Sequence, residues 1–193
     1  MIAGHFGFAA AVKSRETATP LWALMFACVW LDIVFVPLFV AGIETVQKAG
    51  DAHGAYGALI IHADYTHSFV GMAVLSAVLG ALAGLIWGRR SGTVIGLVSA
   101  SHWLLDLFVH RADLPILPGN IGRLPTVGFG LWRNPSVSAV IELALVLGGA
   151  WLYWRAAKPV VAAAGRGGRA AVVSAALIAI FGLGVLWLDF TAA

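Results

Sequence analysis

The chain has 193 residues, of which 61% are hydrophobic and only 11% charged. A soluble domain of this size carries about 25% charged residues, so the composition excludes an ordinary soluble fold and points to a bilayer as solvent. The formal charge of +3 does not imply nucleic-acid binding, because no basic stripe interleaved with aromatics accompanies it, and the lone Cys28 excludes an intramolecular disulfide.

In chain order, residues 1–13, MIAGHFGFAAAVK, are apolar but too short to cross a hydrocarbon core of about 30 Å. A short re-entrant or interfacial helix is predicted, since re-entrant backbone is tolerated where protein buries it. Five longer apolar segments follow, at roughly 20–42, 66–88, 92–110, 136–157 and 169–188, each near the ~20 residues a crossing needs. Pro20 opens the first, as suits a first helical turn. The predicted fold is an all-α integral membrane protein, one domain over 1–193, with about five transmembrane helices.

The connections differ in character. Loop 43–65 holds Glu44, Asp51, His53, His62 and Asp64, and its second half, YGALIIHADY, is apolar enough to dip into the membrane or extend the second helix. Segment 111–135 contains four prolines and four glycines and cannot be a long helix. Its apolar residues predict an ordered cap over the outer helix ends. Segment 155–168, RAAKPVVAAAGRGG, reads as a solvated linker. If the five spans alternate, Lys13, Arg15, Arg89, Arg90, Arg155, Lys158, Arg166 and Arg169 share one side, against Lys48, Arg111, Arg123 and Arg133. That bias predicts an N-terminus inside and a C-terminus outside. Small residues at 80–84, GALAG, suit close helix packing and admit a homo-oligomer.

Ionisable groups at membrane depth carry the functional signal. Asp32 lies near the middle of the first span, and His102 and Asp106 lie in the third. A charged residue at a helix centre costs about 2.5–3.5 kcal/mol on insertion scales, so such groups face the bundle interior and find partners. No Lys or Arg lies deep in a span, which leaves neutralisation, histidine or a metal. Steps of four residues place His102, Asp106 and His110 on one helix face. Imidazole plus carboxylate is the usual donor mixture for zinc, iron or manganese, with zinc the leading expectation. The segment HADYTHS adds His62, Asp64 and His67, and Asp32 can reach in from the first span, predicting a site of Asp32, His62, His67, His102 and Asp106.

Each residue also has a plainer reading. His102 and Asp106 can bond within their helix, His110 suits a helix C-terminus, and Asp64 or Thr66 can cap the second helix. Glu142 can pair with Arg133 or face the same cavity, and Asp189 is expected at the outer interface.

The early Gly4-His5, the Leu31-Asp32 pair, His62 with Thr66-His67-Ser68, and His102 with Asp106 together resemble the LexA-binding, inner-membrane-associated family of metal-dependent hydrolases. That family shows an early His, a Pro-Asp, a His-Arg-x-x-x-His-Ser signature and a later His-x-x-x-Asp. The resemblance covers roughly residues 1–110. It implies a bacterial inner-membrane location and a divalent metal ion held by His5, Asp32, His62, His67, His102 and Asp106. Leu31 stands where the family has proline, and Ala63 where it has arginine, so contact of that arginine with an anionic substrate group is not implied here.

The function expected on these grounds is hydrolysis of a lipid or small phosphoester by a metal-activated water, with Asp64 or His110 as base. No GxSxG nucleophile motif is present. Two other classes stay open: an ion or proton pathway built from intramembrane His and Asp, and a structural protein whose His–Asp pairs are packing contacts. Convergence of four or more ligand-type groups on one point favours the metal, and a chain strung across the bilayer favours a relay.

Overall fold

The computed structural model describes residues 1–48, 59–165 and 168–191. Over these residues the chain is mostly helical. In order come α1 (Ile2–Lys13), α2 (Leu21–Ala27), α3 (Trp30–Val40), β1 (Thr45–Lys48), β2 (Leu59–His62), α4 (Phe69–Val109), α5 (Pro135–Ala163) and α6 (Arg169–Thr191). Three helices, Phe69–Val109, Pro135–Ala163 and Arg169–Asp189, are long and apolar enough to cross a membrane. The α2–α3 pair makes a fourth if its bend of 47° is counted within one crossing.

The segment expected as one straight helix over 20–42 is therefore broken at Cys28–Val29. The break has a use: a helix end leaves its last carbonyls without intrahelical partners, and the Cys28 carbonyl accepts a hydrogen bond from His102 Nδ1 at 2.8 Å. Asp32 consequently falls in the first turn of α3, where the helix dipole favours an anion.

Helix α4 is a hairpin rather than a rod. Gly88 takes φ +83°, ψ 162°, a conformation that any Cβ would oppose, and the chain reverses there. Ser76 Oγ meets Ser99 Oγ at 2.8 Å, and Gly80 lies against Gly92 and Gly96. The arms 69–87 and 89–109 therefore run antiparallel, close to the two predicted segments 66–88 and 92–110. The small residues of GALAG serve this contact within the chain.

Half of helix α1 is buried against the other helices. Ala3, Gly4, His5, Gly7, Ala9 and Ala10 are all inaccessible. Gly7 crosses α5 at Gly149 with the backbones touching, so a Cβ at either position would overlap the other helix's backbone. Gly4 lies beside Glu142 and Gly7 beside Leu145 and Val146, so α1 and α5 run in the same direction. The Gly4 N–H donates to Glu142 Oε2 at 3.2 Å, so Glu142 holds the first turn of α1 in place. Ala9, Leu24, Ala27, Cys28, Ala83, Ile95 and Val98 form the apolar core joining α1, α2 and both arms of α4.

Two other expectations need correction. Within the apolar half of loop 43–65, Leu59–His62 form a β-strand: β1 and β2 pair antiparallel, with Thr45 opposite His62 and Lys48 opposite Leu59. The adjacent β-branched residues Ile60 and Ile61 suit a strand, and the helix begins only after Ser68, whose hydroxyl accepts from Gly71 N–H at 3.0 Å. That cap is neither Asp64 nor Thr66. Segment 155–168 is helical as far as Ala163, Pro159 notwithstanding. Asp51 and His53 lie outside the described residues.

Segment 111–135 makes specific backbone contacts. Leu114 bridges Val127, and its backbone supports the ends of α4: Phe69 N–H donates to Pro115, Val70 N–H to Ile116, and Phe129 N–H to Leu107.

At the far end of the bundle, near the α4 reversal, Glu16 accepts from the Arg90 guanidinium at 3.0 Å and from the Ala18 and Thr19 N–H groups. Burial acts to raise the Glu16 carboxyl, but the Ala18 N–H and the Arg90 guanidinium outweigh it and hold the group below the usual carboxylate range. A depressed acid stabilises the fold above its ordinary pKa and ceases to do so as pH falls through the folded value. Glu16→Gln should therefore lower Tm at pH 7, and the gap from the parent should close below about pH 4, as read by thermal unfolding in detergent at a series of pH values.

Candidate metal centre

Four parts of the chain bring six side chains to one place. His5 comes from α1, Asp32 from α3, His67 from the turn before α4, and His102, Asp106 and His110 from the second arm of α4. The four-residue spacing puts the last three on one face, as the sequence predicted. Asp106 sits at the centre. Its Oδ1 is 3.2 Å from His5 Nε2, and its Oδ2 is 3.1 Å from His102 Nε2 and 3.7 Å from His110 Nε2. Asp32 Oδ1 lies 3.5 Å from His67 Nε2 and 3.6 Å from His102 Nε2. The two imidazoles face each other, Nε2 to Nε2, at 3.2 Å.

That last contact decides what the cluster can do. A carbonyl oxygen only accepts, so His102 Nδ1 carries the proton it donates to Cys28. His67 Nδ1 lies 2.9 Å from Thr66 Oγ1. The Thr66 hydroxyl already donates to the Glu44 carboxylate, so its oxygen accepts from Nδ1–H. Both Nε2 atoms are then bare lone pairs aimed at each other, with Asp32 Oδ1 and Asp106 Oδ2 beside them. Four acceptors this close call for a cation or a shared proton among them.

The distances fit a particular kind of cation. Bonds of about 2.0–2.1 Å to nitrogen and oxygen in a tetrahedral site put neighbouring donors about 3.3–3.4 Å apart. Five of the six separations among His67 Nε2, His102 Nε2, Asp32 Oδ1 and Asp106 Oδ2 are 3.1, 3.2, 3.5, 3.6 and, from His67 to Asp106, 3.9 Å. Two overlapping groups, His5–His102–Asp106 and Asp32–His67–His102, have donor atoms close enough to hold an ion. The donor set is mixed imidazole and carboxylate, which suits zinc, iron or manganese.

Surrounding contacts hold these side chains still. The His5 ring stacks on His102 with centroids 3.9 Å apart. Trp103 Nε1 donates to the His67 carbonyl at 2.7 Å. His110 Nδ1 meets Asp113 Oδ1 at 3.2 Å, and the ring lies on Trp132. Such partners orient metal-binding imidazoles and select their tautomers.

The cluster forms the floor of a cavity of about 260 Å³. Its opposite wall is apolar, built from Val46 of β1, Leu59 and Ile61 of β2 and Phe35 of α3. Asp32, 36% exposed at its side chain, is the most open of the ligand-type groups, while His102 is 1% and Asp106 5% exposed.

His62 and Asp64 do not join this assembly. Strand side chains alternate between faces. Leu59 and Ile61 point into the cavity, so His62 points away, opposite Thr45. Asp64 is not among the residues lining the cavity, and its carbonyl accepts from Gly119 N–H at 2.8 Å. Glu44, Thr66, Asp113 and Asp189 contribute without having been predicted. Asp189 also lines the cavity. A buried acid beside a histidine-flanking hydroxyl was the one available signal for Glu44, but 22 residues separate it from Thr66.

No family model matches the chain, and no curated protein or solved structure matches it.

Proposed function

We propose that the chain is a membrane-embedded, metal-dependent hydrolase whose ion is held by Asp32, His67, His102 and Asp106. The observation carrying this reading is the pair of Nε2 atoms facing each other at 3.2 Å beside two carboxylate oxygens, each imidazole having a partner at its Nδ1. The resemblance of His5, Asp32, Thr66-His67-Ser68 and His102/Asp106 to the LexA-binding, inner-membrane-associated hydrolases supports it from the sequence. A bound divalent ion, zinc first among the candidates, would act as a Lewis acid and lower the pKa of a coordinated water.

The remaining roles belong to the chain itself. His5 Nε2 lies 3.2 Å from Asp106 Oδ1 and helps to fix the orientation of that carboxylate. His110, its Nδ1–H engaged by Asp113, presents Nε2 to the cavity as the proton acceptor. The apolar wall of Val46, Leu59, Ile61 and Phe35 receives the apolar part of a lipid or small phosphoester and thins the water around the reacting bond.

Each arm of α4 is read as one crossing, which with the α2–α3 pair, α5 and α6 makes five. On the Lys/Arg bias the cluster then lies toward the outer face of a bacterial inner membrane, under segment 111–135. α1 accompanies the spans part-way as a re-entrant helix. Convergence of the six groups on one point supports a metal over a proton wire strung across the bilayer.

The test is turnover in detergent and in proteoliposomes against phosphoester, carboxylic ester and phospholipid substrates. Chelation should abolish turnover and added divalent ion restore it. His110→Ala should lower kcat by 10²–10⁴-fold, the usual weight of a general base, while metal content stays at the parental level. No turnover on any of these classes by the metal-loaded protein would sink the hydrolase assignment.

A further inference from the structure

We propose that Glu44 and Thr66 are positioning residues that set the tautomer of His67, and so decide whether that imidazole can accept an ion. The consequence for metal capture rests on the function proposed above; the tautomer itself does not.

Glu44 is 1% exposed and sits just before β1, far from the cluster in sequence. Its Oε1 accepts from the Tyr65 and Thr66 N–H groups, both at 2.8 Å. The Thr66 hydroxyl lies 3.1 Å from Oε1 and 3.0 Å from Oε2. A hydroxyl has one proton to give. Spent on the carboxylate, it leaves Oγ1 as an acceptor 2.9 Å from His67 Nδ1. The imidazole proton is thereby drawn to Nδ1, and the lone pair is left on Nε2, the atom facing His102 and Asp32.

Without the carboxylate, the hydroxyl is free to turn and donate to Nδ1. The proton would then move to Nε2 and point into the cluster. The arrangement is a carboxylate–hydroxyl–imidazole series, one atom longer than the carboxylate–histidine pairs that commonly back metal ligands. It also fastens the start of the β1–β2 hairpin to a ligand-bearing turn, so the cavity's apolar wall and its floor share one buried hydrogen-bond network.

Thr66→Val removes the hydroxyl at nearly constant shape and leaves both amide bonds to Glu44 intact. The test is ¹⁵N NMR of histidine-labelled, metal-free protein in micelles, with His67 assigned from a His67→Gln spectrum, alongside Zn²⁺ affinity of the same samples. The parent should hold His67 as the Nδ1–H tautomer. Thr66→Val should shift it toward Nε2–H and weaken Zn²⁺ by about 10–100-fold, the usual loss when such a partner is removed. Thr66→Ser should restore both. A parental His67 in the Nε2–H form overturns the proposal, and this needs no variant to fold. So does a Thr66→Val spectrum and affinity identical to the parent's. The expected tautomers without Zn²⁺ binding by any sample would uphold the relay and remove the metal reading instead.

Discussion

Purified without chelator, the protein is expected to carry about one divalent ion per chain, as a single four-donor site requires, and the His102→Ala/Asp106→Ala double variant is expected to carry none. Both residues lie on one face of α4, and together they touch every other member of the cluster. Removing them leaves Asp32 and His67, two donors that cannot hold an ion against buffer. Single variants should grade the effect. Asp32→Ala removes a donor outright, whereas His5→Ala removes the imidazole that lies 3.2 Å from Asp106 Oδ1 and should weaken binding by roughly 10–100-fold. His62→Ala should change nothing, because β2 turns that ring away from the cavity. Release should grow as pH falls, since a histidine binds metal only when neutral. Elemental mass spectrometry across this set is the measurement. An ion retained by the double variant would place it elsewhere in the chain.

Gly7→Leu is expected to have the second largest effect, and on packing rather than donors. At Gly7 the α1 backbone touches α5 at Leu145 and Gly149, so any side chain forces the helices apart. Overpacking of a tight contact costs about 1–3 kcal/mol and more where backbone must move. Helix α1 also carries His5, two residues away and stacked on His102. The variant should therefore lower Tm and, where it still folds, lose metal affinity to at least the extent of His5→Ala. Gly42→Ala is the control: it lies at φ +71° with open space around its Cα, so it can perturb the turn but cannot wedge α1 from α5. A Gly7→Leu protein with parental Tm and metal content would mean that α1 does not pack on α5 as described.

Several features were legible because they follow from local periodicity and hydropathy. The arms of α4 and the helices α5 and α6 are apolar runs of the needed length, and a pattern of that kind has few alternatives to a membrane helix. The four-residue stripe of His102, Asp106 and His110 is a property of any α-helix carrying that sequence. The 111–135 segment is likewise announced by its prolines and glycines and by apolar residues that need burial.

Other features depend on which surfaces meet. The break at Cys28–Val29 has no proline or glycine to mark it; there a carbonyl meets His102 from a helix 74 residues away. A one-residue phase along β2 separates Ile61, in the cavity, from His62, outside it, and hydropathy cannot set that phase in a short apolar strand. α1 is too short to be stable alone in water or lipid, and its glycines acquire meaning only against Gly149 of α5. Glu44 looks like a solvated loop acid until the turn at Thr66 folds over it. By itself the sequence determined that the chain is helical, apolar and equipped with His and Asp at membrane depth, because those are sums over neighbouring residues. Only the tertiary structure decided which of the described histidines face one another and which partner each ring meets, because convergence depends on groups that the chain brings together from 22 to 101 residues apart.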